Sequence, residues 1–522
     1  MDMQDIENKY NKLIIQIPVF LGIALALGIG IGFMISMPRK NTVSEQSSKI
    51  TEVLSLIQNN YVDSLGLDST ANFAIQKMLQ NLDPHSSYFP ADDAPLAKSQ
   101  LETDFEGVGI EYELVKDTLF VLYPAKNGPA DKAGILAGDK VIAINNENLT
   151  PNITQNTLFK KLRGKKGTSV ELTILRGKSI QKISVTRDKI RSYSVYAYVI
   201  GSDIGFIKVS KFAEKTDLEF IEALKKLVEK DKVKKIIIDL RDNGGGFMDR
   251  ATKIADEFLE TGEMIVYTKG KHKRYDQEYL ATKGGMFEKG DVVLLIDEGT
   301  ASASEILAGA LQDNDRAIVV GRRSYGKGLV QVPFELSDGA EMRLTVSKYY
   351  SPSGRCIQRD YKNGKPYDKN LVERYKNGEL LHQDSIHYDN KQVFKTKKGK
   401  KVYGGGGISP DYFIPLDTTD LSTSILNLMR ENKLREHASG FAQNNKKSLL
   451  EMGLDKFDND WQIDTNTFKS IVGNISMTTA QSNYLKLYYK SYLAKILWGN
   501  EAQIRIRNTQ DKAVLKAIEV LK

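Results

Sequence analysis

The sequence predicts an α+β multidomain protein, and three observations support this prediction. Residues 13–37 form an uncharged apolar stretch, residues 104–188 carry short strand-like runs broken by glycines, and residues 192–360 alternate strands with helices. Residues 416–522 show helical periodicity and no interpretable motif, which indicates a helical C-terminal extension. At 522 residues and 58.5 kDa, the chain is long enough for about two to four domains.

The composition is that of a folded protein and excludes several classes of function. The 41% hydrophobic and 27% charged content argues against disorder, and a net charge of +8 is mild for this length, so we expect no nucleic-acid binding. The five histidines are scattered without metal-ligand spacing, and Cys356 is the single cysteine. We therefore expect no metal, no other cofactor and no intramolecular disulfide.

The first 40 residues are predicted to be an N-terminal tail and a transmembrane anchor. Residues 13–37 carry no charge and have basic residues on both sides. At about 1.5 Å per residue, such a helix is long enough to span a bilayer. No small-residue cleavage site follows the stretch, which favours an anchor that is not removed.

Residues 41–103 are predicted to form a helical N-terminal segment. The runs KITEVLSLIQNNYV and STANFAIQKMLQNL have apolar residues at three- and four-residue spacing, which is typical of amphipathic helices. The second helix ends at the turn-rich run LDPHSSYFP. We expect His85 in this run to pack or cap rather than to catalyse.

A glycine-containing strand begins the next unit, residues 104–190. In DFEGVGIEYEL, the backbone N–H groups of Gly107, Val108, Gly109 and Ile110 are predicted to form a nest for a terminal carboxylate. A short helix, a Gly-Asp turn and further strands follow in GPADKAGILAGDKVIAINN and ELTILRGKSIQKISVTR. Together these segments resemble a PDZ domain, and the resemblance implies a module that binds substrate C-termini by strand addition.

Residues 191–415 are predicted to form an α/β core, with an insertion at about 361–402. A predicted helix begins with a capping box made by Thr216 and Glu219. The apolar run KKIIIDL then predicts a strand covered on both faces. RDNGGG, at 241–246, follows this strand and permits close backbone approach, but it lacks the glycine patterns that bind nucleotides.

The pattern with the most chemical content is TASASEILAGALQD at 300–313, followed by RRSYGKGLVQV at 322–332. Ser302 opens an apolar helical pattern after the strand DVVLLID, so we expect its hydroxyl at a helix N-terminus, where backbone N–H groups stabilise an oxyanion. A serine nucleophile needs a base, and Lys327 serves if burial lowers its pKa. If 327–336 is a strand, Gln331 lies on the same face and holds the lysine in line with Ser302.

Each of these residues also has a purely structural interpretation. Ser302 and Glu305 match a capping box that needs no chemistry, and a single lysine is usually solvated. The combination of ASASE with GKGxVQ, however, resembles the carboxyl-terminal processing proteases, or tail-specific proteases, which are Ser/Lys-dyad endopeptidases. The resemblance implies that Ser302 is the nucleophile, Lys327 the base and Gln331 the residue that orients the lysine.

The same resemblance extends to LDPHSSYF, to the DLRDNGGG loop and to YGGGGISPDYFIP. It implies that Ala303 and Gly245, with Gly246 as an alternative, supply the N–H groups of an oxyanion hole. The chain departs from the family at GGG, where Pro-Gly-Gly is usual, so the choice between the two glycines stays open. It also departs at Cys356, where serine is usual.

We therefore expect a serine endopeptidase that binds the free C-termini of protein or peptide substrates and cleaves through an acyl-enzyme. Two other interpretations remain open: a non-catalytic PDZ-bearing scaffold or carrier with a protease-like fold, and a beta-lactamase-like enzyme, which Glu305 disfavours because SxxK requires lysine there. The expected location is a membrane, bound through residues 13–37, with the catalytic part outside the cytoplasm on the periplasmic side of a bacterium. An adaptor protein and further copies of the chain are partners that the sequence leaves open.

Overall fold

The computed structural model describes residues 18, 21–29, 42–115, 118–282, 284–361, 367–387, 392–417 and 422–522. The chain divides into two compact units, residues 1–78 and 79–522. Among the described residues, no helix is both long and apolar enough to cross a membrane. Most of the predicted span, 13–37, lies outside the described residues.

The predicted helical segment before residue 104 is confirmed. Its two long helices are α1 (Thr42–Asn60) and α2 (Leu67–Gln80), separated by a short irregular connection. The LDPHSSYFP run then leads into β1 (Ser87–Phe89) and α3 (Ala94–Ser99). Asp83 is buried in this run, so the segment after α2 is part of the packed structure of the second unit.

The β-rich domain that follows has one six-stranded antiparallel sheet, a two-stranded sheet of β2 and β9, and two short helices. Its elements are β2 (Asp104–Gly107), β3 (Ile110–Val115), β4 (Thr118–Pro124), α4 (Pro129–Lys132), β5 (Lys140–Ile144), β6 (Glu147–Asn148), α5 (Gln155–Leu162), β7 (Ser169–Arg176), β8 (Ser179–Thr186) and β9 (Asp188–Arg191). The order of the larger sheet is β3-β4-β5-β7-β8, and among the described strands β3 lies at its edge and pairs with β4 alone. Its core contains Val121, Ile144 and Leu172, all fully buried.

Among the described residues, the α/β core contains two large sheets, a two-stranded sheet of β19 and β20, and several helices. Its elements are β10 (Val195–Ile200), β11 (Ile204–Val209), α6 (Thr216–Lys225), β12 (Lys235–Asp239), α7 (Met248–Asp256), β13 (Met264–Gly270), β14 (Gln277–Leu280), β15 (Asp291–Ile296), α8 (Ala303–Asp313), β16 (Ile318–Gly321), β17 (Leu329–Glu335), β18 (Glu341–Tyr350), α9 (Asn370–Lys376), β19 (Val393–Lys395), β20 (Lys401–Tyr403) and β21 (Tyr412–Phe413). One sheet has the order β10-β11-β12-β15-β16-β21 and is parallel except for β10. The other is antiparallel, with the order β1-β18-β13-β14 and with β17 also paired to β18.

The parallel sheet is covered on both faces, as the run KKIIIDL predicted. Ile236 and Ile238 belong to the core cluster that includes residues of α6, α7 and α8. Ile237 points to the opposite face, where it belongs to a cluster with Val514 and Ala517 from the C-terminal region. Alternating side chains of one strand therefore enter two different cores, which requires apolar residues at successive positions.

The C-terminal region is helical, as predicted, and contacts both preceding domains. Its helices are α10 (Thr423–Arg430), α11 (Lys433–Met452), α12 (Leu454–Asp460), α13 (Thr465–Val472), α14 (Thr479–Trp498), α15 (Asn500–Asn508) and α16 (Lys512–Val520). The last helix covers one face of the parallel sheet. In α14, the Tyr492 hydroxyl donates to the Leu122 carbonyl at 2.9 Å, and Lys495 pairs with Glu111 at 2.6 Å. This region therefore joins the β-rich domain to the core.

The predicted capping box of Thr216 and Glu219 is wrong. Helix α6 begins at Thr216 itself, after Lys215, and no side chain caps it. The Thr216 hydroxyl instead accepts from the Ala213 amide at 2.8 Å. Glu219 accepts from the amide and the hydroxyl of Ser194, both at 2.8 Å. A tertiary contact therefore replaces the local one, because the buried carboxylate finds two donors on the entry to β10.

Candidate active site

The carboxyl ends of β12 and β15 bring the two predicted active-site loops together. These strands are parallel neighbours, so the glycine loop after β12 and the Ser302 loop after β15 leave the same edge of the sheet. A Cβ atom at Gly245 would lie 2.8 Å from the Ser302 Cβ and 2.9 Å from the Ala303 nitrogen. Only glycine permits this approach, and the structure thus brings Gly245, Ser302 and Ala303 together as predicted.

Ser302 directly precedes α8 and has an unusual backbone conformation. Its φ of 56° and ψ of −116° lie outside the regions that a serine ordinarily adopts, at a cost of about 1–3 kcal/mol. The side chain is half-buried. The next amide, that of Ala303, has no hydrogen-bond partner among the residues that the structure describes. A strained, accessible serine therefore stands beside an open helix N-terminus, where negative charge is favoured.

Glu305 connects Ser302 to the loop that carries Lys327. It is 1% exposed. Its Oε2 accepts from the amides of Ser302 and Lys327, both at 2.9 Å. Its Oε1 accepts from the Ser324 hydroxyl at 2.5 Å and the Gly326 amide at 2.7 Å. The capping interaction predicted for Glu305 is thus one of four, and the other three hold the lysine loop.

Tyr349 contacts the same two backbones through their carbonyl groups. Its hydroxyl donates to the Lys327 carbonyl at 2.6 Å and lies 3.2 Å from the Ser302 carbonyl. The side chain is 2% exposed, and burial raises its pKa well above the ordinary value, so the hydroxyl stays protonated. Glu305 and Tyr349 therefore bind the N–H and C=O groups of both Ser302 and Lys327.

Lys327 is half-buried, and burial lowers the pKa of its ammonium below the ordinary value. The charges of Glu305 and Asp83 act in the opposite direction, and that of Arg343 lowers the pKa further. Desolvation is the largest of these effects, so the net shift favours the neutral amine. That form is the one that accepts a proton from a serine hydroxyl.

His85 belongs to the surroundings of Lys327. Its Nε2 lies 2.9 Å from the Tyr367 hydroxyl. Burial, together with the charge of Lys327, lowers the pKa of His85 to about 4, so the imidazole is neutral at physiological pH. The expectation of a packing histidine agrees with this contact, and its place beside the lysine was not predicted.

Gln331 lies on β17 opposite Thr345 of β18, and its Nε2 donates to the Thr345 Oγ1 at 3.0 Å. The strand begins at Leu329, so Lys327 precedes it and strand alternation alone does not set both side chains on one face. A bulge between Val330 and Gln331 shifts the register so that Thr345, rather than Val346, is the partner of Gln331. The bulge therefore decides which side chain meets the glutamine.

The glycine loop offers two amides that differ in their hydrogen bonding. The Gly245 N–H donates to the Asn243 Oδ1 at 2.9 Å. The Gly246 N–H has no partner within the described part of the chain. Both glycines have positive φ, of 99° and 139°, and a Cβ at Gly246 would lie 2.1 Å from the Phe212 carbonyl oxygen. Gly246 is thus the amide that is open in this structure.

The predicted carboxylate loop, residues 107–110, precedes the edge strand β3. Gly109 has a φ of 76°, and its amide has no partner among the described residues. Gly107, in contrast, pairs with Arg163 in an isolated bridge next to the end of α5. The Tyr112 hydroxyl of β3 donates to the Gln155 Oε1 of α5 at 3.3 Å. Helix α5 therefore lies beside β3, next to the predicted carboxylate loop.

No three His, Cys, Asp or Glu side chains in the described ranges lie close enough together to hold a metal ion. The groups around Ser302 are instead hydrogen-bond donors and acceptors and one amine. This arrangement suits nucleophilic attack with proton transfer.

Comparison with known proteins agrees with this geometry. Residues 203–365 match the model of peptidase family S41, and residues 120–176 match a PDZ domain model. The carboxy-terminal-processing protease of Bartonella bacilliformis is 37% identical over 320 residues, which are 60% of this chain and 73% of that protein. The chain belongs to the carboxy-terminal-processing proteases of peptidase family S41.

A second relative of this S41 protease is a probable CtpA-like serine protease of Staphylococcus saprophyticus, 32% identical over 400 residues, 75% of this chain and 79% of that protein. Among solved structures, a photosystem II D1 C-terminal processing protease is 24% identical to this chain, with a TM-score of 0.37. The match covers 71% of this chain and 93% of that protein. The two domain models and the two relatives show that the chain is a serine protease with a PDZ domain.

Sequence reasoning missed two residues that shape the site of this S41 protease, Tyr349 and Thr345. Both lie in the run MRLTVSKYY, whose only visible signal is strand alternation. Their contacts with Gln331 and Lys327 depend on which strand pairs with this one, and strand pairing cannot be inferred from the local sequence. Glu305 was visible as a capping residue, but its contacts with the lysine loop were not.

We expect Glu305→Gln to lower kcat by about 100-fold. Each carboxylate oxygen of Glu305 accepts two hydrogen bonds, and glutamine replaces one of these oxygens by an NH2 group, which is itself a donor and cannot accept them. The measurement is steady-state cleavage of a protein substrate by the full chain. Glu298→Gln is the matched control, since among the described residues this half-buried carboxylate forms an ion pair with Arg322 alone. Losing that ion pair should have little effect on kcat. Equal kcat for the parent and Glu305→Gln would contradict this role.

Proposed function

We propose that this S41 protease is an endopeptidase that cleaves proteins through a Ser302/Lys327 dyad and selects them by their free C-termini. The observation that carries the proposal is the shared carboxylate oxygen of Glu305, which binds the backbone amides of Ser302 and Lys327 at once. Residues 25 positions apart are thereby held next to each other around a helix N-terminus. Such an arrangement is what a nucleophile and its base require.

In the proposed reaction, the neutral amine of Lys327 takes the proton of the Ser302 hydroxyl as the oxygen attacks the scissile carbonyl. The resulting ammonium protonates the leaving amine, and an acyl-enzyme on Ser302 remains. Lys327, neutral again, then takes a proton from water, and the hydroxide attacks the acyl carbon. The Lys327 ammonium returns this proton to the Ser302 oxygen as the second product leaves, which restores the free enzyme. Gln331 orients the lysine through these steps.

The oxyanion formed in both tetrahedral intermediates is proposed to bind the Ala303 amide and one glycine amide. Gly245 serves if its N–H turns away from the Asn243 carboxamide, and Gly246 serves with the amide that is already open. Each such donor contributes about 3 kcal/mol to transition-state stabilisation. The helix N-terminus adds a favourable field at the same point.

Substrate selection is assigned to the PDZ domain. The loop of Gly107, Val108, Gly109 and Ile110 would receive the terminal carboxylate, and the free edge of β3 would pair with the last residues of the substrate. The open amide of Gly109 supports this assignment. A substrate bound in this way needs a free, extended C-terminus, which favours unfolded or loosely folded proteins.

We expect cleavage by the full chain of an unfolded protein that ends in apolar residues, and slower cleavage of the same protein with an amidated C-terminus. Ser302→Ala and Lys327→Arg should show no turnover at any accessible pH, because arginine stays protonated. Lys348→Arg, at an exposed position of β18, is the matched control and should keep parent activity. Products are weighed by mass spectrometry. Turnover by Lys327→Arg contradicts the dyad, and equal cleavage of both substrates contradicts C-terminal selection.

The location proposed for this protease is a bacterial membrane, with the catalytic part outside the cytoplasm and residues 13–37 as the anchor. The uncharged stretch and its basic flanks support this proposal. We expect the full chain to stay in the membrane fraction after alkaline extraction and a variant lacking residues 13–37 to be released. Release of both proteins would contradict the anchor.

A further inference from the structure

A chain of hydrogen bonds runs from the proposed orienting residue Gln331 to a buried carboxylate in the LDPHSSYF run. Gln331 donates through its Nε2 to the Thr345 Oγ1 at 3.0 Å. Thr345 in turn donates through its hydroxyl to the Asp83 Oδ1 at 3.1 Å. Asp83 is 6% exposed. Three residues from three separate stretches of sequence thus form one network, and the charge of its Asp83 end acts on Lys327.

The chemistry of Asp83 fixes the direction of this network. Burial alone would raise the pKa of Asp83, but hydrogen bonds from Ser86, His85 and Thr345 outweigh it, and the pKa lies below its ordinary value. Asp83 is therefore ionised at neutral pH and only accepts hydrogen bonds. The single hydroxyl hydrogen of Thr345 must go to Asp83, so the Thr345 oxygen can only accept from Gln331.

This requirement sets which end of the Gln331 carboxamide faces Thr345. The NH2 group points to Thr345, and Oε1 is directed away from it as a free acceptor. With the opposite flip, the NH2 group would face the lysine and donate to the lone pair of the neutral amine. That lone pair is the one that must receive the Ser302 proton, so the wrong flip would block the base.

We propose that Thr345 and Asp83 are positioning residues that hold the Gln331 carboxamide with Oε1 towards Lys327, so that the amine donates to Gln331 and keeps its lone pair for Ser302. This inference rests on the proposed dyad. Neither residue touches substrate; both act through Gln331. The LDPHSSYF run, which lies outside the α/β core in sequence, thereby becomes part of the catalytic machinery.

The fold holds Asp83 rigidly enough for this role. Its Oδ2 accepts from the Ser86 hydroxyl at 2.6 Å, and its Oδ1 accepts from the amides of His85 and Ser86, both at 2.8 Å. The Ser86 oxygen also accepts from the Thr345 amide at 3.1 Å. Strand β1 then pairs with β18 directly after this turn. Carboxylate and threonine are therefore tied through both backbone and side chain.

The first test replaces Thr345 in the full chain by valine, which keeps the shape and removes the hydroxyl, and by serine, which restores it. We expect Thr345→Val to lower kcat on the order of 100-fold with KM little changed, and Thr345→Ser to recover most of kcat. Thr268→Val is the matched control, because Thr268 lies in the same sheet and its hydroxyl donates to the Tyr275 carbonyl and accepts from the Gln277 amide, with no hydrogen bond to Gln331 or Asp83 among the described residues. It should keep parent kcat.

A double-mutant cycle separates action through Gln331 from a general structural effect. If Thr345 acts by orienting Gln331, adding Thr345→Val to Gln331→Ala should cost nothing further in kcat. Losses that multiply in the double variant would overturn the proposal. Parent kcat in Thr345→Val, or equal losses in Thr345→Val and Thr345→Ser, would overturn it as well.

Asp83→Ala supplies a second readout that does not depend on Thr345→Val folding. The change removes the acceptor of the Thr345 hydroxyl, which frees the threonine hydrogen for Gln331 and permits the wrong flip, so kcat should fall. The charged groups that act on Lys327 are Glu305 from α8, Arg343 from β18 and Asp83, with neutral His85 nearby. Since the Asp83 charge raises the pKa of Lys327, its removal should move the acid limb of kcat/KM to lower pH.

Parent kcat in Asp83→Ala would overturn the proposal, whatever the position of the acid limb. The Ser302→Ala and Lys327→Arg variants are assayed in parallel to keep the two hypotheses apart. If those variants turn over substrate, the dyad itself fails. If they are inactive while Thr345→Val and Asp83→Ala are fully active, only the positioning role fails.

Discussion

The site depends on one buried carboxylate, that of Glu305, and on the four donors that it collects. A carboxylate has room for about four hydrogen bonds, and here all four come from the elements that carry Ser302 and Lys327. Leaving any of these donors unpaired in the interior would cost about 1–3 kcal/mol. The helix start and the lysine loop are therefore difficult to separate, and Tyr349 holds their carbonyl groups in the same way.

This arrangement places a carboxylate near the lysine, and yet burial still lowers the pKa of the lysine. Burial raises the pKa of Glu305, while its hydrogen bonds lower it. These hydrogen bonds come from the backbone and from Ser324, and they stabilise the charged form of the carboxylate. Glu305 binds the backbone of Lys327, and desolvation remains the largest influence on the side-chain amine. The strained backbone of Ser302 is held by its contacts with Glu305 and Tyr349. Several such contacts are needed to keep a residue in an unfavourable conformation.

The parts of this structure that follow from local patterns were predictable from the sequence, and the parts that depend on tertiary pairing were not. The doubly covered strand and the helix start at Ser302 follow from an apolar run and a helical periodicity. Thr345 meets Gln331 only because of a bulge, and Tyr349 acts from a strand whose sequence carries no functional signal. The Thr216 cap shows the reverse case, in which a local pattern was present but a tertiary contact prevailed.

The central claim, that burial keeps Lys327 available as a base, is tested most directly by titrating that side chain. The Ser302→Ala chain is prepared with lysines labelled with ¹³C at Cε, and the Lys327→Arg spectrum identifies the Lys327 signal. We predict that its chemical shift titrates with a midpoint below the ordinary lysine value of 10.5, because desolvation outweighs the charges of Glu305 and Asp83. A midpoint at or above 10.5 would contradict the account.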